Sequence, residues 1–244
     1  MNIDVHQTVR EVALTIPAAT RVFERLGIDY CCSGGKSLEQ ACGAANLQVQ
    51  KVVELLCLAE VSAEARQAPA TSDWTTALLA DLIHHIKYTH HSYTRDEITR
   101  LGPLFAKVCR AHGEKRSELN DIRSSFESLA QELTTHMMKE EFVLFPYIER
   151  LEEAWMAGER AIPAPFGSVE NPVAMMQHDH ETAGNLLRSM RSLSDDYNPP
   201  EQACASYKTL YAALAEFERD LHQHIHLENN ILFPRAIAME KRPQ

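Results

Sequence analysis

The sequence has 244 residues, of which 45% are hydrophobic and 24% are charged, and it contains only 9 glycines. This length fits one large domain or one medium and one small domain, and the composition favours long helices over turn-rich β architecture. The formal net charge of −10 argues against a nucleic-acid backbone or an anionic membrane as the main partner, because both require a concentrated positive field.

The start of the chain predicts a protein that is not exported. The first twenty residues include Asp4 and Glu11 and lack the apolar run of a secretory signal. The sequence has no apolar stretch of about 18 residues, so no membrane span is predicted. Six cysteines without an export signal are more typical of thiols, ligands or redox groups than of structural disulfides, so we expect a cytoplasmic protein.

Residues 1–61 predict a small helical domain of three or four short helices. Thr8 with Glu11, and Ser37 with Gln40, form capping-box patterns that mark helix starts. A last helix is predicted over residues 47–60. Residues 62–73 contain no large apolar side chain, which is typical of a flexible linker, and we place the domain boundary there.

Residues 74–244 predict an up-down four-helix bundle, so the fold class is all-α. Four segments have apolar positions at alternating steps of three and four residues. Breaks are predicted at Gly113, over residues 157–170, and at Asn198-Pro199-Pro200, with Asn171-Pro172 as the cap and first turn of the third segment. Histidines and glutamates share the apolar stripes of these segments. The stripe of the second segment is Phe126, Leu129, Leu133, His136, Glu140 and Val143.

The bundle sequence contains an internal repeat. The phrase HMMKEEFVLFP begins at His136, and HIHLENNILFP begins at His224 with the same spacing of His, Glu, Leu, Phe and Pro. His91 precedes His136 by 45 residues, and 44 residues separate each next pair, His136 to His180 and His180 to His224. Each helical hairpin therefore supplies one histidine and then a His-x-x-x-Glu.

This repeat predicts a metal site with two-fold pseudosymmetry. Residues i and i+4 lie on one helix face about 6 Å apart along the axis, and antiparallel hairpins bring the remaining histidines to the same level. The six predicted ligands are His91, His136, Glu140, His180, His224 and Glu228. Mixed histidine and carboxylate donors suit iron or manganese better than magnesium, and the absence of cysteine disfavours structural zinc, so we expect two iron ions bridged by the carboxylates. The alternative is a buried His/Glu salt-bridge layer, which is costly unless its charges pair.

The other histidines are assigned lesser roles. His112 lies on the stripe of His91 but 21 helical residues, or about 31 Å, away, and it is excluded unless Gly102-Pro103 breaks the helix. His84 is also too far from His91 along its helix. His90, His178, His222 and His226 are expected to face solvent. Glu132 and Asp179 are candidates for groups that orient the imidazoles.

Cys31 and Cys32 are predicted to be functional thiols. They precede a helix capped by Ser37, so its positive end favours partial ionisation. Adjacent cysteines are poorly shaped to chelate one tetrahedral ion, which favours redox exchange, nitric-oxide capture or the transfer of metal. The alternative is two small hydrophobic side chains in a turn.

Three phrases together carry a resemblance to a known family: DYCCSGG in the first domain, and HMMKEEFVLFP and HIHLENNILFP in the bundle. The chain resembles the repair-of-iron-centres proteins, which are di-iron proteins with a short cysteine-bearing domain and a hemerythrin-like bundle. The resemblance implies that the four histidines named above ligate two irons, that Glu140 and Glu228 bridge them, and that Cys31 and Cys32 are the thiols of the small domain. Because His90 directly precedes His91, only the 45-residue spacing favours His91 as the first ligand.

The resemblance implies a role in restoring iron-sulfur clusters damaged by oxidative or nitrosative stress, by donation of iron, in a homodimer. Damaged iron-sulfur proteins would be the partners, with nitric oxide or oxygen species as small ligands. Two alternatives remain open at this point. One is an enzyme that reduces nitric oxide at the two metals, and the other is a hemerythrin-like protein that binds or senses oxygen.

Overall fold

The structure is a computed structural model that describes residues 3–65, 73–159 and 163–241. The chain divides into two compact units, one of residues 1–78 with 225–234 and the other of residues 79–224 with 235–244. Both are helical, and the part of the chain described here contains isolated β-bridges but no strand. No described helix is long and apolar enough to cross a membrane.

Four helices form the N-terminal part of the first unit: α1 (Val9–Thr15), α2 (Ala19–Leu26), α3 (Leu38–Ala44) and α4 (Val49–Ala65). Both predicted capping boxes are confirmed, since Thr8 and Ser37 each accept the N3 backbone N–H of the following helix. The helix α4 ends five residues later than predicted and includes the start of the expected linker. Most of that linker, residues 66–72, lies outside the described residues.

The two capped helix starts are joined by backbone hydrogen bonds. Thr8 and Ser37 form an antiparallel bridge, and the N–H groups of Leu38 and Val9 donate to the carbonyls of Gln7 and Lys36. This pairing fixes the start of α3, where the loop that carries the cysteines ends, against the start of α1. The core beneath it includes the fully buried side chains of Val9, Phe23, Leu38 and Leu56.

The remaining helices of the described residues form four runs, and a short π-helical segment interrupts all of them except run 3. Run 1 is α5 (Leu79–His85), π1 (Ile86–His91) and α6 (Ser92–His112). Run 2 is α7 (Glu118–Lys139), π2 (Glu140–Leu144) and α8 (Phe145–Ala157). Run 3 is α9 (Glu170–Leu193), and run 4 is α10 (Ala205–Leu227), π3 (Glu228–Leu232) and α11 (Phe233–Glu240). This architecture confirms the predicted all-α class and four-helix bundle.

Side chains from different runs form the core of the bundle. Helix α6 packs against α7, and α7 against α9. The rings of Phe126 and Phe217 meet at 5.9 Å, which joins run 2 to run 4. The predicted cap of α9 is wrong: the helix begins at Glu170, two residues before the expected first helical residue, Pro172, and the Glu170 N–H donates to the Ser168 hydroxyl.

The π-helical segments change which side chains face the core. The regular period predicted that Val143 is buried, but Val143 is 47% exposed and Leu144 is 1% exposed. A π segment contains about one more residue per turn than the surrounding helix. After Glu140, the positions that face the core therefore fall one residue later in the sequence. The expectation for Val143 was therefore wrong, while the stripe before Glu140 follows the 3.6-residue period.

A proline follows each of π2 and π3 at the same distance. Pro146 and Pro234 lack an N–H, and their rings would clash with the carbonyls of residues four positions earlier, Phe142 and Asn230. Both of those carbonyls lie inside π segments, where the wider turn relieves the clash. The repeated Leu-Phe-Pro phrase thus accounts for the position of two of the three π segments.

One helix start in the bundle is capped by another helix. The Glu152 carboxylate in α8 is buried and accepts the backbone N–H groups of Leu79 at 2.7 Å and Ala80 at 2.9 Å. These N–H groups begin run 1 and have no partner within their own helix. Glu152 therefore fixes the start of run 1 against the end of run 2.

Candidate metal centre

Two sets of potential ligand atoms meet inside the bundle. One set is His91, Glu140, His224 and Glu228, and the other is His136, Glu140, His180 and Glu228. The ligand atoms of each set lie within 4.8 Å of one another. Both sets include the same two glutamates, and all six side chains are between 0% and 2% exposed. The structure thus brings together all six residues that the repeat singled out.

The distances between donor atoms fit a metal ion in each set. The Nε2 atoms of His91 and His224 are 3.1 Å apart, and those of His136 and His180 are 3.0 Å apart. Two nitrogens bound at right angles, each about 2.1 Å from one ion, are about 3.0 Å apart. One carboxylate oxygen of Glu140, Oε2, lies 3.4 Å from Nε2 of His91 and 3.3 Å from Nε2 of His136. Glu140 therefore reaches both sets with a single oxygen atom.

The helices place these side chains through a combination of spacing and π segments. His136 and Glu140 are four residues apart at the end of α7, and His224 and Glu228 repeat this arrangement in run 4. Glu140 and Glu228 are the first residues of π2 and π3, and His91 is the last residue of π1. Each π segment therefore begins or ends at a candidate ligand, as is frequent for π-bulges at functional sites.

The outer nitrogens of two candidate ligands bind carboxylates. Nδ1 of His91 lies 2.7 Å from Glu141, and Arg95 donates to the same oxygen at 2.7 Å. Although burial opposes this effect, the hydrogen bonds from His91 and Arg95 hold the pKa of Glu141 below its usual value. A carboxylate accepts the Nδ1–H, which leaves the lone pair of Nε2 available towards the other ligand atoms of the set.

A matching pair supports the second set. Nδ1 of His136 lies 3.3 Å from Asp179, and Lys139 donates to the same carboxylate oxygen at 2.9 Å. The hydrogen bond from His136, together with Lys139 and against the effect of burial, lowers the pKa of Asp179 to about 2. Asp179 had been predicted to orient an imidazole, and it contacts His136. Glu132, the other candidate, is exposed.

Two of the other histidines differ from their predicted environment. His90 and His226 are buried at 4% exposure, whereas the sequence predicted that they face solvent. His90 binds Asp220 through Nδ1 at 3.0 Å, and its ring stacks on His224, so His91 and not His90 belongs to the ligand sets. The expected exposure holds for His178.

His112 lies at the far end of run 1. Helix α6 continues through Pro103 without a break, so His112 is about 31 Å along the helix from His91 and is not part of the site. Its Nε2 atom instead lies 3.2 Å from Sγ of Cys204. His84 is exposed, its ring packs at a tilt against Tyr88, and it belongs to neither ligand set.

The two adjacent cysteines lie in a loop that is organised by Asp29. The Oδ1 atom of Asp29 accepts the backbone N–H groups of Cys31, Cys32 and Ser33 at 3.2, 2.9 and 3.1 Å. Cys31 is buried, Cys32 is half-buried, and their Sγ atoms are 3.8 Å apart and not joined in a disulfide. The Cys32 thiol, burial and the carboxylate of Asp29 raise the pKa of Cys31 well above its usual value. The expectation of partial ionisation through the helix end was therefore wrong for Cys31.

Two asparagines hold the backbone of this thiol loop. The Asn229 amide donates to the Cys31 carbonyl at 3.2 Å, and the Asn230 amide donates to the Tyr30 carbonyl at 3.0 Å. Gly34 lies close to the same turn, since a Cβ there would be 2.8 Å from the Tyr30 carbonyl oxygen. Sequence reasoning did not single out the asparagines. Their only signal is that they follow Glu228 where the first copy of the repeat has Glu141 and Phe142.

The amide of Asn230 has all of its groups paired. Its Oδ1 atom accepts from Arg10 Nε at 2.7 Å, and its amide also donates to Nδ1 of His226 at 2.8 Å. Burial lowers the pKa of His226 to about 4, which keeps this imidazole neutral and able to accept a hydrogen bond. These contacts fix the orientation of Asn230 and hence the position of the Tyr30 carbonyl.

Comparison with known proteins identifies the class of the bundle and of the whole chain. Residues 82–236 match the family model of the hemerythrin HHE cation binding domain, and residues 5–60 match the domain of unknown function named ScdA_N. The metal centre described above lies in the first of these two regions. The fold and site thus define a hemerythrin-type cation-binding protein with an additional N-terminal domain.

The similarity to named proteins extends over almost the whole chain. The iron-sulfur cluster repair protein YtfE of Citrobacter koseri is 37% identical over 235 residues, which cover 96% of this chain and 98% of the relative. Proteins of the same name from Musicola paradisiaca and Escherichia coli are 35% and 36% identical over 96% of this chain, and cover 97% and 98% of those relatives. The chain therefore belongs to the repair-of-iron-centres family, and its buried His/Glu cluster fits an iron-binding site.

Proposed function

We propose that this protein repairs iron-sulfur clusters damaged by oxidative or nitrosative stress, by donating iron from a two-iron site. The ligands would be His91, His136, Glu140, His180, His224 and Glu228, with Glu140 and Glu228 bridging the two ions. The observation that carries the proposal is the pair of buried ligand sets that share both carboxylates, in a chain of this family. When bound, iron would supply a transferable ion and redox chemistry.

The protein groups suit a site that binds iron and can release it. Each set offers two imidazoles and two shared carboxylates, which is fewer donors than the six positions of an octahedral ion. Glu141 and Asp179 orient His91 and His136 so that both present the lone pair of Nε2. The shared use of two carboxylates means that the loss of one ion also changes the ligands of the other.

The two parts of the chain would have different roles. Residues 1–61 would form a domain whose thiols, Cys31 and Cys32, assist by redox exchange or ligand transfer. Residues 74–244 would form the di-iron bundle, with residues 62–73 as the linker. We place the protein in the cytoplasm as a homodimer whose partners are damaged iron-sulfur proteins.

Iron donation is tested with the loaded full-length protein and a [4Fe–4S] enzyme inactivated by peroxide. The enzyme should regain activity with the native protein but not with Glu140→Leu or Glu228→Leu, since each change removes a ligand common to both sets. Glu132→Leu is the matched control, because Glu132 is an exposed glutamate on the same helix as His136. Equal repair by an iron-free Glu140→Leu protein would contradict the proposal.

A second candidate is the reduction of nitric oxide at the same centre. Glu140 Oε2 lies at nearly equal distances from a histidine of each set, so the two metal positions are adjacent, as needed to couple two substrate molecules. This activity predicts multiple turnovers of nitric oxide to nitrous oxide with a reductant. Nitrosylation that stops after a stoichiometric amount would exclude the reductase and leave iron donation.

A further inference from the structure

We propose that Asp29, Cys31 and Cys32 form a second cation site, which binds one thiophilic divalent ion through two thiolates and a carboxylate oxygen. The ligand atoms of these three residues lie within 4.8 Å of one another. None of them belongs to the His/Glu cluster, so cation binding here can be tested separately from iron donation. The proposal differs from the expectation that adjacent cysteines do not chelate together.

The distances match the edges of a tetrahedral ion. Sγ of Cys31 is 3.8 Å from Sγ of Cys32 and 3.6 Å from Oδ1 of Asp29. Two sulfurs, each about 2.3 Å from one tetrahedral ion, are about 3.8 Å apart, and a sulfur and an oxygen at about 2.1 Å are about 3.6 Å apart. Two of the three edges therefore match a tetrahedral ion, and the ligand atoms of all three residues lie within 4.8 Å of one another.

A disulfide would require the two sulfurs to move towards each other. A sulfur–sulfur bond is about 2.0 Å long, so the two Sγ atoms would have to approach by almost 2 Å. The backbone that carries them is held at both residues by Asp29 and at the Cys31 carbonyl by Asn229. In this loop the two sulfurs are separate thiols at a spacing that suits two ligands of one ion.

The backbone contacts organise the site before an ion arrives. Asp29 Oδ1 accepts three consecutive N–H groups, which fixes the carboxylate beside both sulfurs. Asn230, oriented by Arg10, fixes the preceding Tyr30 carbonyl. A site whose ligands are held in place loses less entropy on binding.

The charge of the loop also favours a cation. The hydrogen bond with Cys32, burial and the nearby carboxylates of Asp29 and Glu24 raise the pKa of Cys31, because each disfavours its thiolate. A bound divalent ion would instead stabilise the thiolates, since thiols bind metals as thiolates and release their protons. Binding of one ion should therefore release two protons, one from each cysteine.

The test is a titration of the full-length, reduced protein with Cd²⁺, followed by the ultraviolet charge-transfer absorption of sulfur bound to cadmium. This absorption reports sulfur ligands only, so binding by the His/Glu cluster does not contribute to it. We expect one sulfur-bound Cd²⁺ per chain, with the release of two protons. Below the pKa values of the thiols, affinity should rise up to about 100-fold per pH unit.

Three variants make the test specific. Cys31→Ser with Cys32→Ser should abolish the absorption, whereas Cys109→Ser with Cys204→Ser, a matched double change elsewhere, should retain it. Asp29→Asn preserves an oxygen that accepts the three N–H groups but removes the charge, so it should weaken Cd²⁺ binding at least tenfold without lowering the melting temperature. Absorption that persists without Cys31 and Cys32, or equal affinity in Asp29→Asn, would overturn the proposal.

Discussion

Nδ1 of His91 lies 2.7 Å from the Glu141 carboxylate, and this contact joins a candidate ligand to a charged network outside the ligand sets. The same carboxylate oxygen accepts from Arg95, so it lies between an imidazole and a guanidinium. Asp179 has the same relationship to His136 and Lys139. Each ligand set therefore includes one histidine whose ring is oriented by a carboxylate. A positively charged side chain, Arg95 or Lys139, holds that carboxylate in place.

The first prediction concerns these two carboxylates. Glu141→Gln or Asp179→Asn should weaken iron binding by about 10- to 100-fold, because the neutral amide no longer fixes the imidazole tautomer or strengthens its basicity. Iron affinity is measured by competition with a chelator under anaerobic conditions. Glu132→Gln, an exposed position in the same run as Glu141, serves as the control and should bind iron as the native protein does. Unchanged affinity in both network variants would show that the contacts do not support the ligands.

The second prediction concerns the cap that Glu152 provides to run 1. Glu152→Ala should lower the free energy of unfolding by about 2 kcal/mol, since it removes the acceptor of the Leu79 and Ala80 N–H groups. Urea denaturation measures this difference. The adjacent, exposed Glu153 provides the control Glu153→Ala, which should change stability little. Equal stability of the two variants would contradict the assigned role of Glu152.

The third prediction is a pH dependence that arises from Glu240. Burial opposes ionisation, but hydrogen bonds from Ser168, Tyr147 and the Val169 N–H hold the pKa of Glu240 below its ordinary value of 4.5. Because the pKa is lower in the folded state, the stabilisation is fully present above pH 4.5 and is lost as the pH falls through the lower, folded value.

Glu240→Gln should therefore destabilise the protein by roughly 1–2 kcal/mol at pH 7 and by much less at pH 3. Chemical denaturation of the native and variant proteins at both pH values gives the comparison. If the native and variant proteins differed in free energy of unfolding by the same amount at pH 3 and at pH 7, the ionised carboxylate would not be the stabilising group.

The fourth prediction separates the thiols from the iron site. Cys31→Ser with Cys32→Ser should leave the iron content of the bundle unchanged while impairing cluster repair, because neither sulfur belongs to the His/Glu ligand sets. Iron analysis and the repair assay are performed on the same preparation, with Cys109→Ser and Cys204→Ser as the matched control. Loss of iron from the first variant alone would mean that the thiols hold or assemble the site.

Much of the bundle could be predicted because its determinants are local. Helix period and capping depend on residues a few positions apart, which is why the Thr8 and Ser37 caps and the stripe from Phe126 to Glu140 were found. The equal spacing of the four histidines predicted that their side chains meet at one level, since equal lengths of helix and loop return the chain to the same height.

The features that were missed depend on exceptions to regular helix geometry or on distant contacts. The period of 3.6 residues predicted that Val143 is buried, and only the π segment after Glu140 explains why Leu144 is buried instead. The repeated Leu-Phe-Pro was a visible signal that proline perturbs the helix there. Nothing local in the sequence indicated that His90 binds Asp220 or that Asn230 binds the Tyr30 carbonyl, because 130 and 200 residues separate these partners.

The most direct test of the account is the content of iron, zinc and manganese per chain in protein purified without oxygen. Two ligand sets that share both carboxylates predict about two iron ions per chain, and Glu140→Leu and Glu228→Leu should each lose both. Protein that contains zinc without iron, or no metal at all, would contradict the assignment of the six ligands and the proposed repair function that depends on it.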